Sequence, residues 1–349
     1  LKIVIASPYL NSMRGNTMTA KRIINTLEDT GVDVTGINYN DQDSISDNIK
    51  HIVKSDCIHI LNPIRYLQSE MYKKQMHVTN KYGITFTGTD LNVYLATYHN
   101  QVLELLSGAA FITVFHEQAY NCLIAKFPSI SSKTHIVGQG YYELGSDIQK
   151  SGNADEILEF IKLSQQQGKC VLVLPAGVRK IKRIQWAIEL VANYNKLNNN
   201  KLNSTQLVLC VIGPVIEAEE YERVTILTRE NPHIRYFKSI HQKELIEIIR
   251  ISDILINSSE SEGQSIAIIE AFYQRTPVIA SRCPGNEQMI EHGKNGYLFN
   301  AEEEFNTAVD AFINKPDQTL IIVDTAHELA KANYSTENEI AQYIQLYRG

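Results

Sequence analysis

Glu262 and Glu270 stand in the stretch SSESEGQSIAIIEAF with the spacing E-x7-E. Residues 266–272 are apolar on almost every side, the composition of a buried helix. A carboxylate buried there without a partner costs on the order of several kcal/mol. With Ser265 as N-cap, Glu270 falls on the second turn. Eight residues at about 100° each leave the two positions about 80° apart on a projected helix. Both can then address one ligand near the helix start. The amides of residues 263–266 suit a phosphate. A carboxylate repels phosphate but accepts hydrogen bonds from sugar hydroxyls, so one glutamate for a ribose and one for a second sugar is a consistent reading. Taken singly, Glu262 reads as a solvated loop residue and Glu270 as a cap on neighbouring backbone. The spacing, Gly263, Gln264, Ser265 and the EAF run together favour a ligand-binding pair.

Arg179 and Lys182 lie three apart in PAGVRKIKR, at the end of a strand. Near a helix start they can clamp a diphosphate and steady a leaving nucleotide. The alternative is a solvated basic turn. SPYLNSMRGNTMTAKR closes the first strand and opens a helix. Gly15 permits close approach of the backbone to a ligand, and Asn16 or Thr17 can cap the helix. The run is not G-x-G-x-x-G, so a nicotinamide fingerprint is absent. Asp90 in TGTDLN reads equally as an N-cap and as a contact at a reacting centre. His116, after FITVF, reads as a packing or capping residue. The GQG of residues 138–140 reads as a turn, and the DQD of residues 41–43 as a helix N-terminus, not a metal pair.

These residues need elements to hold them. The chain of 349 residues suits two domains. It is 44% hydrophobic and 21% charged, with net charge −6 and mixed signs, which argues against a dedicated nucleic-acid binder. Five cysteines, none in a CxxC pair, read as reduced thiols of a cytoplasmic protein and not as a zinc site. No apolar run reaches membrane-spanning length, and LKIVIASPYL reads as a strand, not a signal peptide. KIVIAS, VDVTGIN, CIHILN, GITFTG, FITVFH and THIVGQG alternate with amphipathic helices, one of them over residues 91–106. The rhythm breaks in a polar linker near residues 145–168. It restarts with CVLVLPAG, QLVLCVIGP, IRYFKS, DILINS and TPVIAS. Strand–helix alternation of this kind gives an α/β fold of doubly wound parallel sheets. Two Rossmann-like domains are expected, residues 1–150 and 151–334, with a C-terminal helix over 335–349 able to pack back onto the first. Ligands in such sheets bind at the carboxyl ends of strands. Two domains facing across a cleft can hold two substrates.

The stretch from Ser258 to Phe299, with PGN at residues 284–286 and NGYLF at 295–299, resembles the donor-binding core of the GT-B glycosyltransferases of family 4. RGNTMTAKR, TGTDLN, GVRKIK, VIGPVIEAEE and NSSESEGQS extend the likeness over nearly the whole chain. They are similar to the glycosyltransferase 1 domain-containing protein 1 group and to the bacterial selenosugar synthases, which share GN-x-x-TA-x-R and TGTDL. The resemblance implies a GT-B fold and retaining transfer of a sugar, with no covalent intermediate and no obligatory metal. The donor it implies is a nucleotide sugar, a UDP-sugar first of all, and the acceptor is unidentified. It assigns Glu270 to the ribose and Glu262 to the donor sugar. Arg179 and Lys182 fall to the diphosphate, although the usual Gly-Arg dipeptide here reads Gly177-Val178-Arg179. Gly15 and Asn16 fall in the glycine loop of the acceptor domain, Asp90 on the facing wall, and Gly213 and Ile240 on the nucleotide side. The usual family glycine is missing near Ile240. A nucleotide-sugar epimerase on the same plan and a non-catalytic nucleotide-sugar-binding protein are the alternatives.

Overall fold

The computed structural model describes residues 1–11, 15–41, 43–74, 80–88, 90–91, 97–142, 152–199 and 205–349. Parts of the expected linker, of TGTDLN and of the helix over 91–106 lie outside the described residues. The chain divides into two compact units, Leu1–Tyr142 with Asn333–Gly349, and Glu143–Ala332.

The first unit holds a six-stranded sheet of β1 (Lys2–Ser7), β2 (Asp33–Asn38), β3 (Cys57–Leu61), β4 (Tyr82–Thr85), β5 (Phe111–Val114) and β6 (Thr134–Ile136), ordered β2-β1-β3-β4-β5-β6. Every pairing is parallel. Side chains alternate faces along each strand, so Val4, Ala6, Ile58 and Ile60 enter one core while Ile3, Ile5 and Cys57 enter another. The helix Thr336–Arg348 covers the second of these faces through Ile340, Tyr343 and Tyr347. Its aromatic hydroxyls reach the sheet's polar interior. Tyr347 Oη lies 2.7 Å from His59 Nδ1, and His59 Nε2 lies 2.6 Å from Thr85 Oγ1. Burial pushes His59 down to about 3, so the imidazole is neutral in the native range.

The second unit holds β7 (Cys170–Pro175), β8 (Leu207–Ile212), β9 (Ile234–Phe237), β10 (Ile254–Asn257), β11 (Val278–Ser281) and β12 (Tyr297–Phe299), ordered β12-β11-β10-β7-β8-β9 and again all parallel. From β7 the chain winds outward through β8 and β9, then returns to the other side of β7 with β10. The strand order therefore reverses between β7 and β10, where such sheets open a crevice at the carboxyl ends. In the first unit the equivalent reversal lies between β1 and β3. The fold is thus the expected doubly wound α/β arrangement. Strand β12 and the helices Glu302–Asn314 and Pro316–Asn333 were not separated by the sequence pattern. A three-residue strand is too short to show alternation. Among the described residues no helix is long and apolar enough to cross a membrane.

Candidate functional site

Two loops meet at the β7/β10 reversal. The loop after β7 carries Arg179 and a 3-10 turn, Lys180–Lys182, before the helix Ile184–Asn198. The loop after β10 carries Glu262, Gly263, Gln264 and Ser265 into the helix Ile266–Tyr273. They are stitched together. Glu260 N donates to Ile181 O at 2.9 Å, and Ser258 Oγ donates to Lys182 O at 2.8 Å. Lys182 Nζ then donates to Glu262 Oε1 at 2.6 Å, with the two side chains only 16% and 10% exposed. The same oxygen accepts from Ser259 Oγ at 2.6 Å and Asn257 Nδ2 at 3.1 Å. Burial alone pushes the Glu262 carboxyl up. The Lys182 charge and the hydrogen bonds from Lys182, Ser259 and Asn257 outweigh it and hold the group below the usual carboxylate range.

Asn257, the last residue of β10, organises this loop. Its Nδ2 serves both Glu262 and Ser265 Oγ, the latter at 3.1 Å. Its Oδ1 accepts from Ser259 N at 3.0 Å and from the buried Asn286 Nδ2 at 3.3 Å. Ser265 stands at the N-cap position as expected, but its hydroxyl makes no cap hydrogen bond. It accepts from Asn257 Nδ2 instead. The short helix Pro284–Glu287 closes in from the other side. A Cβ at Gly285 would lie 2.6 Å from Glu262 O and 2.7 Å from Gly263 O, so only glycine lets the two backbones approach. Gly285→Ala is therefore expected to push the glutamate loop aside. It should cost about 1–3 kcal/mol of stability. Urea denaturation of this variant checks it.

Glu270 is buried, and its Oε1 accepts from Gln242 Nε2 at 2.7 Å. Gln242 begins the helix Gln242–Ile251, directly after the loop that carries the buried Ile240. The 80° projection does not describe the pair, because Glu262 precedes the N-cap and has no helical angle. Glu262 looks toward the β7 loop and Glu270 toward the β9 loop. Gly213 follows β8, where an added Cβ would lie 2.1 Å from Ala176 O, so it is the crossing point of two strand-end loops. Asn257 and Gln242 are not singled out by the sequence, and Asn286 stands out there only as part of PGN. The available signal was a polar side chain closing the apolar strand DILIN.

The remaining candidates belong to the first unit. Gly15 is the first residue of the helix Gly15–Asp29, so Asn16 and Thr17 lie inside its first turn and not at its cap. Among the described residues a Cβ at Gly15 would meet nothing within 4 Å, so none of them requires glycine there. Asp90 is buried against its own loop: it accepts from Thr87 N at 3.0 and 2.9 Å, Gly88 N at 2.8 Å and Leu91 N at 3.0 Å. Burial pushes its carboxyl up to about 6 despite these amides. The geometry gives Asp90 a loop-shaping part. His116 caps the helix Glu117–Lys126, accepting from Ala119 N at 3.2 Å. Asp41 accepts from Asp43 N at 3.1 Å and from the Ser44 hydroxyl, ahead of the helix Ile45–Val53. Among the described residues no group of His, Cys, Asp or Glu is arranged to hold a metal ion.

Comparison with known proteins gives a consistent result. Residues 154–336 match the family described as glycosyl transferases group 1. Glycosyltransferase 1 domain-containing protein 1 of Xenopus tropicalis is 30% identical over 268 residues, 76% of this chain and 75% of that protein. Among solved structures, Anabaena HepE in complex with UDP-glucose superposes with a TM-score of 0.72 at 14% identity, over 99% of this chain and 98% of that one. Sucrose-phosphate synthase from Thermosynechococcus elongatus gives 0.73 at 14% identity, over 99% and 98%. At that identity the likeness shows the fold, which is GT-B.

Proposed function

We propose, for a chain that belongs to the glycosyl transferases group 1 family, that it moves a sugar from a UDP-sugar to an acceptor with retention of anomeric configuration, in the manner of family 4. The observation that carries this reading is the Lys182–Glu262 pair, locked into stitched loops at the strand-order reversal of the second unit. An ammonium has three protons to donate. One lies on Glu262, and the others can meet phosphate oxygens of the departing nucleotide. Arg179, in the same loop, adds a fork that matches phosphate geometry. The first-turn amides of Ile266–Tyr273 supply further donors. Together they stabilise the charge that develops as the sugar–phosphate bond breaks, which is the task a divalent cation performs elsewhere, so no obligatory metal is part of the proposal. Glu262, ionised, orients the sugar. Glu270, oriented by Gln242, takes the ribose hydroxyls. Front-face attack by the acceptor needs no protein nucleophile.

The UDP complexes of HepE support the choice of base. Five free cysteines, four of them buried, support a reducing compartment, the cytoplasm.

The test is thermal unfolding with UDP, GDP, ADP and their sugars. A ligand present at 100 times its Kd adds about 2.7 kcal/mol to the native state. UDP and one UDP-sugar are expected to raise Tm by several degrees, and Glu270→Ala to lose most of that rise. No shift from any nucleotide at millimolar concentration sinks the reading. A shift without UDP release in the presence of acceptors leaves a binding protein, and interconversion of the bound sugar an epimerase.

A further inference from the structure

The first unit has its own strand-order reversal, between β1 and β3, and the residues that follow those two strands meet. Asn62, directly after β3, holds a left-handed backbone at φ 62° and ψ 80°. A side chain in that region costs about 1 kcal/mol, and such strain collects where the surrounding structure needs one geometry. The geometry here is fixed from several sides. Asn62 Oδ1 accepts from Arg65 N at 3.1 Å, and Asn62 Nδ2 donates to Thr87 Oγ1 at 3.1 Å, tying the β3 loop to the β4 loop. The buried Tyr39 hydroxyl donates to Leu61 O at 2.8 Å and Asn62 O at 3.2 Å. What this turn presents is Arg65. Its side chain is exposed, and Nη1 donates to the Tyr9 hydroxyl at 3.0 Å from the loop after β1. The guanidinium carbon stands 5.6 Å from the Tyr9 ring centroid. Among the described residues Arg65 has no carboxylate partner. The nearby Asp90 carboxylate is turned onto its own loop amides.

We propose that the β1/β3 crevice of the first unit is an anion subsite in which Arg65, steadied by Tyr9 and set by the Asn62 turn, binds the carboxylate or phosphate group of a small acidic acceptor. A guanidinium takes either oxyanion through two parallel N–H bonds. The crevice at a strand-order reversal is where a doubly wound sheet binds ligand, and in the second unit that position already holds the Lys182–Glu262 site. The glycosyltransferase reading is needed only for calling this anion part of an acceptor.

The probe is inorganic phosphate, followed by phosphorus NMR line broadening on the full chain at fixed ionic strength. UDP is kept at saturation so that phosphate contacts in the second unit are occupied. Wild type is expected to broaden the line. Arg65→Ala is expected to weaken binding by at least roughly tenfold, with Arg65→Lys between the two because it keeps charge without the fork. Competition by succinate assigns the site to carboxylate acceptors. Phosphate binding indifferent to succinate assigns it to phosphate esters. Equal broadening by wild type and Arg65→Ala overturns the proposal, as does no broadening by either. Melting temperatures of the same samples separate a lost site from a lost fold. Failure of the donor reading shows separately, as UDP that does not bind wild type, and an Arg65-dependent phosphate site would survive it.

Discussion

Lys182→Ala is expected to lower sugar transfer by 100-fold or more and to destabilise the protein by about 3 kcal/mol. The two losses have different origins. The rate loss follows from the role proposed for Lys182: removing a cation aimed at charge that develops in a transition state is worth roughly two to three orders of magnitude. The stability loss follows from leaving Glu262 nearly buried with its counter-charge gone, since breaking a buried pair from one side costs about 3–5 kcal/mol. The pair's side chains are 16% and 10% exposed, which places the expectation at the lower end. The pH dependence has a definite sign. In the wild type the Glu262 carboxyl is held below its ordinary range, so its contribution is full above that range and is lost as pH falls through the lowered value. Without Lys182 two of the downward pulls are gone while burial still pushes up, so ionising the carboxylate costs the fold more than in the wild type. The stability gap between wild type and Lys182→Ala is therefore widest above the ordinary carboxylate range and narrows as pH falls through that range and below it. Urea denaturation across that window reads it. Lys182→Met with Glu262→Gln, which removes both charges, is expected to recover most of the stability and none of the turnover. Turnover of Lys182→Ala within a few-fold of wild type would remove Lys182 from the chemistry.

The sequence makes the strands and the E-x7-E spacing visible because both are local. Alternation of apolar runs such as CVLVLP and QLVLCVIG with amphipathic helices is enough to predict parallel sheets. The meeting of Lys182 with Glu262 is not local, being 80 residues apart in the chain. It could be suspected only because each lies in the loop after a strand, and strand ends share one edge of a parallel sheet. The partners of the glutamates were harder. Asn257 precedes Glu262 by five residues, but its grip on Glu262, Ser265 and Asn286 depends on a loop geometry that no periodicity encodes. Gln242 reaches Glu270 across 28 residues and two elements. The projected 80° failed for a plain reason: it extended a helix into residues that are not helical. Asp90 shows the same lesson from the other side. Its position in TGTDLN suits an N-cap or a catalyst, and only the four amide contacts to its own loop decide its surroundings.

Arg22→Ala is expected to cost about 3–5 kcal/mol and to loosen the helix Thr336–Arg348 from the first unit. Arg22 Nε and Nη2 donate to the two oxygens of Glu339 at 2.8 and 2.9 Å, across 317 residues of chain. The side chains are 5% and 0% exposed, so neither charge has water to fall back on. Two neighbours complete the arrangement. Gln139 Oε1 accepts from Arg22 Nη2 at 3.2 Å and from Thr19 Oγ1 at 2.9 Å, and Gly140 N donates to Glu339 Oε2 at 2.9 Å. Thr19 and Arg22 are the TA-x-R of the GN-x-x-TA-x-R run, so this part of the motif holds a distant helix in place. That helix buries Ile340, Tyr343 and Tyr347 against Ile3, Ile5 and Phe111. Losing its ionic anchor therefore exposes a core face. A domain's whole stability is about 5–15 kcal/mol, so the variant sits near the edge of folding. Chemical denaturation should show the loss, and limited proteolysis should show new cleavage near residues 333–336. Arg22→Met with Glu339→Leu is expected to fall between wild type and the single variant, because the charges leave together while Gly140 N loses its acceptor. An Arg22→Ala protein within 1 kcal/mol of wild type would mean that apolar packing of the helix suffices and the ion pair adds only register.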